Sequence, residues 1–228
     1  MLTLILGLGN IGKKYDKTRH NLGFEVVDRV VEKIGAVRQD DGECYQWWKG
    51  EVEGADGDVR VAQDEERLLR SPEAGDSRND DVLNVSKKTI YLAKPTTYMN
   101  GSGEAAKELI ERLSISPAEI LVIVDDFQIP LGAVRFRPNG SDGGHNGLVS
   151  VIEELGTQAF PRLRLGIGLP QDKAQVIDYV LTKFSADEKP AVEKMLAIAS
   201  EGVIFALQHR LEKVMSKYNF NPAPPDLA

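Results

Sequence analysis

Residues 120–124, I-L-V-I-V, form the most apolar run of the chain and stop at Asp125-Asp126. Five aliphatic residues without alternation describe a strand covered on both faces, and so a sheet lying between other layers. Residues 3–8 (T-L-I-L-G-L) read the same way. After a polar loop, Phe24, Val27, Val30, Val31 and Ile34 recur at the spacing of one helical face. Further strands are predicted at 44–52, at 89–93 where Lys94-Pro95 stops them, and at 163–167. Residues 132–137 alternate, with Val134 and Phe136 on one side and Arg135 and Arg137 on the other. Helices are predicted at 103–113, capped by the Ser102 hydroxyl, from Asn146 to near Gly156, at 175–180 and at 187–217. Ser116-Pro117-Ala118-Glu119 has the spacing of a capping box.

Strands alternating with helices predict an α/β fold: a single domain over residues 1–220, built on a twisted mixed β-sheet flanked by helices on both faces. The chain has 228 residues, 42% of them apolar, enough for one substantial core. Hairpin-like segments within 44–93 and at 132–137 favour a mixed sheet over an all-parallel one. From Gly54 to Asp81 the chain carries nine acids against four arginines and no sustained apolar period, which reads as a solvated insertion. That insertion holds most of the net charge of −7, so local basic surfaces remain possible elsewhere. Residues 221–228 form a proline-rich tail. Apolar runs stay far below the roughly 20 residues of a membrane span, and no basic leader precedes the first strand, which predicts a cytoplasmic protein with no membrane association. The single cysteine, Cys44, reads as a small buried or edge-strand residue and excludes an internal disulfide or a cysteine-rich metal site.

The chemistry-bearing residues gather at predicted strand ends. His20 and Asn21 stand at the entrance of the first helix, where free N–H groups favour an uncharged imidazole. His20 is therefore either a general base or a helix cap. Asn10 follows the first strand, Tyr98-Met99-Asn100 follow residues 89–93, and Asp125 ends the central strand. Ligands of open α/β sheets bind beyond the carboxyl ends of the strands, so these residues are expected to converge. Together they offer a base, a carboxylate to orient it and amides for an oxyanion, with water as the attacking group. Asp126 reads equally well as a turn former. His145, in G-G-H-N-G, reads either as a structural residue bonding a backbone group, the favoured reading, or as a catalytic one. Gly7, Gly9 and Gly12 match G-x-G-x-x-G, but a polar loop separates them from helical periodicity, which argues against a dinucleotide site. Arg135, Arg137, Lys94, Lys13, Lys14 and Arg19 form either a phosphate grip or an ordinary solvated face.

Taken together, G-L-G-N-I-G-x-x-Y-x-x-T-R-H-N-x-G-F (7–24), K-P-T-T-Y-M-N-G-S-G (94–103), V-D-D-F-Q-I-P-L-G (124–132), G-G-H-N-G-L (143–148) and F-P-R-L-R-L-G-I-G-L-P (160–170) closely resemble bacterial peptidyl-tRNA hydrolase. The resemblance implies a monomeric enzyme without metal or cofactor that cleaves the ester joining a peptide to the 3′ ribose of its tRNA. It implies His20 as the base activating water, Asp125 as the residue keeping it basic, and Asn10 as the group that tells N-blocked peptidyl-tRNA from free aminoacyl-tRNA. Tyr15, Tyr98, Asn100 and Asn146 would line the site with Met99 packed there. Arg135 and Arg137, and more weakly Arg162, would meet the phosphates of the acceptor stem. Ile11, Val124, Gln128 and Asp142 depart from the family pattern, and the insertion is atypical; it is expected to project away from the basic face. The rival reading is an RNA-binding module of the same fold without catalysis, against which stands the retention of His20, Asp125, Asn10, Asn100 and Asn146.

Overall fold

A computed structural model describes residues 1–54, 87–170 and 175–222. Most of the acidic insertion and the end of the tail lie outside the described residues, and the expectations placed on them go with them. The elements in chain order are β1 (Leu4–Gly7), α1 (Leu22–Ile34), β2 (Val37–Arg38), β3 (Tyr45–Glu53), β4 (Lys87–Pro95), α2 (Ser102–Leu113), β5 (Ile120–Asp126), β6 (Val134–Arg137), α3 (Asn146–Leu155), β7 (Arg162–Gly166), α4 (Val176–Val180), α5 (Lys189–Gln208) and α6 (Leu211–Tyr218). Seven strands form one sheet in the order β2-β3-β4-β1-β5-β7-β6. β4, β1, β5 and β7 run parallel, whereas β3 on β4, β2 on β3 and β6 on β7 are antiparallel. The sheet is therefore mixed, as the hairpin-like segments indicated.

Both faces are covered, because alternate residues of the central strands enter different cores. Ile5, Leu121 and Ile123 pack with α1 and α5, while Leu4, Leu6, Val122 and Val124 pack with α2 and α3. β1 lies between β4 and β5, so the carboxyl ends of these three strands open at one edge of the sheet. The approach of α1 to that edge depends on absent side chains. A Cβ on Gly7 would stand 2.2 Å from the Gly23 carbonyl oxygen, and one on Gly23 would stand 2.5 Å from the backbone of Leu8. These two glycines let the turn carrying His20 settle on the strand ends.

α1 starts at Leu22, as the polar loop and the onset of helical periodicity indicated, after short 3-10 turns at Lys13–Tyr15 and Arg19–Asn21, so the α-helix does not begin within the glycine loop. Other boundaries differ from the sequence reading for identifiable reasons. β4 runs through Lys94 to Pro95, because β3 pairs with it residue for residue and the proline occupies its last position. Ser102 does not cap α2; it is the first helical residue, and its hydroxyl donates to the Met99 carbonyl (2.9 Å). The region 187–217 is two helices, broken at His209, whose backbone is extended. β5 continues through Asp125 and Asp126, both buried.

Candidate active site

Beyond the ends of β1, β4 and β5 lies a crevice of about 380 Å³, within the range of small-molecule sites. Asn10, Tyr15, His20, Tyr98, Met99, Asn100, Asp125 and Asn146 all line it. Sequence reasoning thus named residues that the fold brings together from four separate segments. His145, Phe127 and an apolar wall from α4 and its end, Val176, Ile177, Val180 and Leu181, complete the lining.

His20 and Asp125 meet at its floor. The His20 Nδ1 lies 2.8 Å from Asp125 Oδ1, and both residues are buried. A second imidazole reaches the same oxygen: His145 Nε2 is 3.2 Å from Asp125 Oδ1. The two tautomers follow from the network. Leu148 N–H donates to His145 Nδ1 (3.2 Å), so that nitrogen is bare and Nε2–H donates to Asp125. Its bond to a backbone group, the structural role read from the sequence, is present; its contact with Asp125 was not foreseen. Burial alone would push the Asp125 carboxyl up, but attraction to His20 and the hydrogen bonds from His145 and His20 outweigh it and hold the group well below the usual carboxylate range. An ionised Asp125 in turn keeps the proton of His20 on Nδ1 and leaves Nε2 with its lone pair.

One ligand atom each from His20, Asp125 and His145 lies within 4.8 Å of the others, a spacing that a metal ion could use. The nitrogens that face Asp125 are, however, the two that carry protons in this network, so a metal would have to displace both.

The amides are fixed as firmly. Asn10 N–H donates to Asn21 Oδ1 (2.8 Å) and Asn21 Nδ2 donates back to Asn10 O (3.0 Å). Met99 N–H donates to Asn10 Oδ1 (2.8 Å), which settles the amide orientation and leaves Asn10 Nδ2 as a donor. Met99 follows Tyr98, a non-glycine residue at φ 58° on the crevice rim. Such strain is held by its surroundings and is common in functional sites. Asn21 was read only as a helix-entrance residue; its part in locking Asn10 shows once the two loops are folded together.

The departures at Gln128 and Asp142 build the loop ahead of α3. Gln128 Nε2 donates to the Gly143 carbonyl (2.7 Å), and Asp142 Oδ1 accepts from Gly144 N–H (2.8 Å). Val124 is buried in the core. Asp126 acts as the turn former it resembled, accepting from Gln128 N–H (2.8 Å), and it also pairs with Arg164.

Four arginines share one face of the β6–β7 pair, since Arg135 stands opposite Arg164 and Arg137 opposite Arg162. Arg164 is neutralised by Asp126. Arg162 is only 1% exposed and donates to the carbonyls of Ser141 (2.8 Å) and Gln158 (3.0 Å), so it braces the 139–144 loop from inside. Burial, then the Arg164 charge, push its guanidinium down to about 10, still protonated at neutral pH. Arg135 and Arg137 are half-exposed; they bond Asn221 (3.2 Å) and the Phe136 carbonyl (2.8 Å) and make no ion pair among the described residues. Of the other basic residues read at the mouth, Lys94 pairs with Asp28 and Arg19 is buried.

The family model for peptidyl-tRNA hydrolase matches residues 4–225. The chain belongs to that family. It is 38% identical to the peptidyl-tRNA hydrolase of Hydrogenobaculum sp. (strain Y04AAS1) over 219 residues, 96% of this chain and 98% of the relative. With the Synechocystis sp. (strain ATCC 27184 / PCC 6803 / Kazusa) enzyme of the same name it shares 41% over 216 residues, 95% of each. The solved peptidyl-tRNA hydrolase of Acinetobacter baumannii superimposes with a TM-score of 0.78 at 28% identity, covering 97% of both chains.

Proposed function

We propose that this crevice hydrolyses the ester between peptide and tRNA in peptidyl-tRNA, with His20 as general base and Asp125 as its partner. The observation that carries the reading is the 2.8 Å contact of a buried, ionised carboxylate with His20 Nδ1, in a crevice lined by substrate-sized polar and apolar surface. His20 Nε2 takes a proton from water as the oxygen attacks the ester carbonyl. Asn10 Nδ2 donates to the carbonyl oxygen as negative charge develops there. The carbonyl–O3′ bond then breaks, and the imidazolium returns the proton to the ribose oxygen. Asp125 stabilises the imidazolium between these steps, and His145 holds Asp125 in place. Tyr15, Tyr98, Met99, Asn100 and Asn146 contact the peptide and the terminal nucleotide, and Asn10 favours N-blocked substrates.

Arg135 and Arg137 engage acceptor-stem phosphate. Their freedom from carboxylates, beside two arginines already committed inward, supports this role. The chain is read as a cytoplasmic monomer that works without metal or cofactor; no helix among the described residues is long and apolar enough to cross a membrane.

The reading is tested by steady-state release of N-acetylamino acid from N-acetylaminoacyl-tRNA across a salt series. The native chain is expected to turn over. The Arg135→Ala/Arg137→Ala variant is expected to raise KM about tenfold at near-constant kcat, with a salt dependence shallower by about one per lost phosphate contact. A loss of kcat at unchanged KM would remove these arginines from tRNA binding. A folded native chain that binds tRNA without hydrolysing it would leave only the binding-module reading.

A further inference from the structure

Arg19 immediately precedes His20, yet it faces away from the crevice mouth and is 5% exposed. Its guanidinium lies over the rings of Tyr179 (4.4 Å) and Phe184 (4.6 Å). Nη1 donates to Thr182 Oγ1 (3.0 Å) and to the Lys183 carbonyl (2.7 Å), and Nη2 donates to both carboxylate oxygens of Glu188 (2.6 and 2.7 Å). The backbone repeats the tie: Arg19 N–H donates to the Thr182 carbonyl (3.0 Å), and Thr18 bridges to Lys183. Every partner belongs to residues 179–188, the end of α4 and the link to α5. Glu188 also accepts from Ser185 N–H (2.7 Å), so the same carboxylate organises that link.

Two physical points give this cluster a purpose. α4 has five residues, too few for helical hydrogen bonds alone to hold it, so its position is set from outside. An ion pair with a buried guanidinium is also a poor device for stability alone, and here the carboxylate is part-exposed while the Arg19 Nε–H is buried with no partner among the described residues. What the pair does achieve is geometric, because it joins the turn bearing the general base to the segment whose Val176, Ile177, Val180 and Leu181 form the opposite crevice wall.

We propose that Arg19 is a positioning residue: through Glu188 and the 182–183 backbone it holds the α4 wall at a fixed distance from the His20 turn, and so sets the width of the crevice for the peptidyl-tRNA end. It acts on substrate binding, and the proton transfer at His20 does not pass through it. The kinetic part of this inference rests on the peptidyl-tRNA reading above. The structural part does not.

The test uses the full chain with Arg19→Lys and, separately, Glu188→Gln. Lysine keeps the charge but loses the fork and the stacking on two rings. For Arg19→Lys, KM for N-acetylaminoacyl-tRNA is expected to rise about tenfold with kcat changed less than about threefold, the loss of roughly one charge-assisted bond's worth of binding. Glu188→Gln keeps the shape and one acceptor, and a rise of about threefold is expected. Amide hydrogen exchange of the native chain and both variants supplies the independent readout. Exchange at 176–188 is expected to accelerate in the variants while β1 and β5 stay protected. Unchanged exchange at 176–188, or a fall in kcat larger than the rise in KM, overturns the proposal. Should Arg19→Lys fail to fold, Glu188→Gln decides alone: native KM and native exchange overturn it. Should the native chain not hydrolyse the substrate, the exchange comparison still decides the tether separately from the activity.

Discussion

Replacing His20 by alanine is expected to lower kcat on N-acetylaminoacyl-tRNA by about 10²- to 10⁴-fold, the usual cost of removing a general base. The basis is the division of labour between the two ring nitrogens. Nδ1 is committed to Asp125 at 2.8 Å, so Nε2 is the nitrogen available to water. KM is expected to change little, because the amides and the apolar wall that line the crevice are held by contacts outside the imidazole. Asn10 is locked by Asn21 and Met99, and α4 is tied to Arg19 and, through Tyr179, to the Ile167 carbonyl (2.6 Å). Single-turnover measurement of peptide release checks the result free of product release. Equal turnover by native and variant chains removes His20 from the chemistry.

Asp125→Asn is expected to cost a comparable factor, about 10²- to 10⁴-fold in kcat, with KM raised far less. Both imidazoles donate to one oxygen, Oδ1, at 2.8 and 3.2 Å. If the amide oxygen takes that place, both hydrogen bonds survive but the charge that stabilises a protonated His20 is gone. If the amide nitrogen takes it, His20 must offer a lone pair at Nδ1 and carry its proton on Nε2, the wrong tautomer for a base. Either arrangement acts on the chemical step. The depressed ionisation of the native carboxyl has the matching sign: lowered by its imidazole partners, Asp125 stays charged through neutral and mildly acidic solution and loses its charge only as pH falls through that low value. Steady-state kinetics of the variant decide the point, since a raised KM at native kcat would make Asp125 a substrate contact.

Much of this arrangement was legible because local patterns and the fold agree. The unbroken aliphatic run at 120–124 specified a strand with two covered faces, and the polar loop between Gly12 and Leu22 separated this glycine pattern from a dinucleotide motif. Strand ends pointed to Asn10, Met99, Asn100 and Asp125 as neighbours, and the crevice lining agrees. What escaped the sequence depends on long-range packing. Pro95 looks like a stop until β3 pairs along its length. His145 looks structural because its bond to Leu148 is local, whereas its bond to Asp125 exists only where β5 and α3 converge. Val176, Ile177 and Val180 have the composition of a core helix, and only the short, peripheral α4 brings them to the crevice wall. Arg19 and Arg162 carry the residue type of a phosphate ligand, and burial gives both of them carbonyl partners instead. Alternation alone cannot tell an outward arginine from one folded back under a loop.

The most direct measurement is the protonation pattern of the two imidazoles in the resting protein, read by nitrogen-15 NMR of histidine-labelled chain at neutral pH. The network requires opposite tautomers: proton on Nδ1 in His20, proton on Nε2 in His145, each sharing Asp125 Oδ1. Finding that pair of signals, and its loss in Asp125→Asn, is the expected result. A His20 ring protonated at Nε2 with Nδ1 bare would mean that its free nitrogen faces the carboxylate and that no base is presented to water.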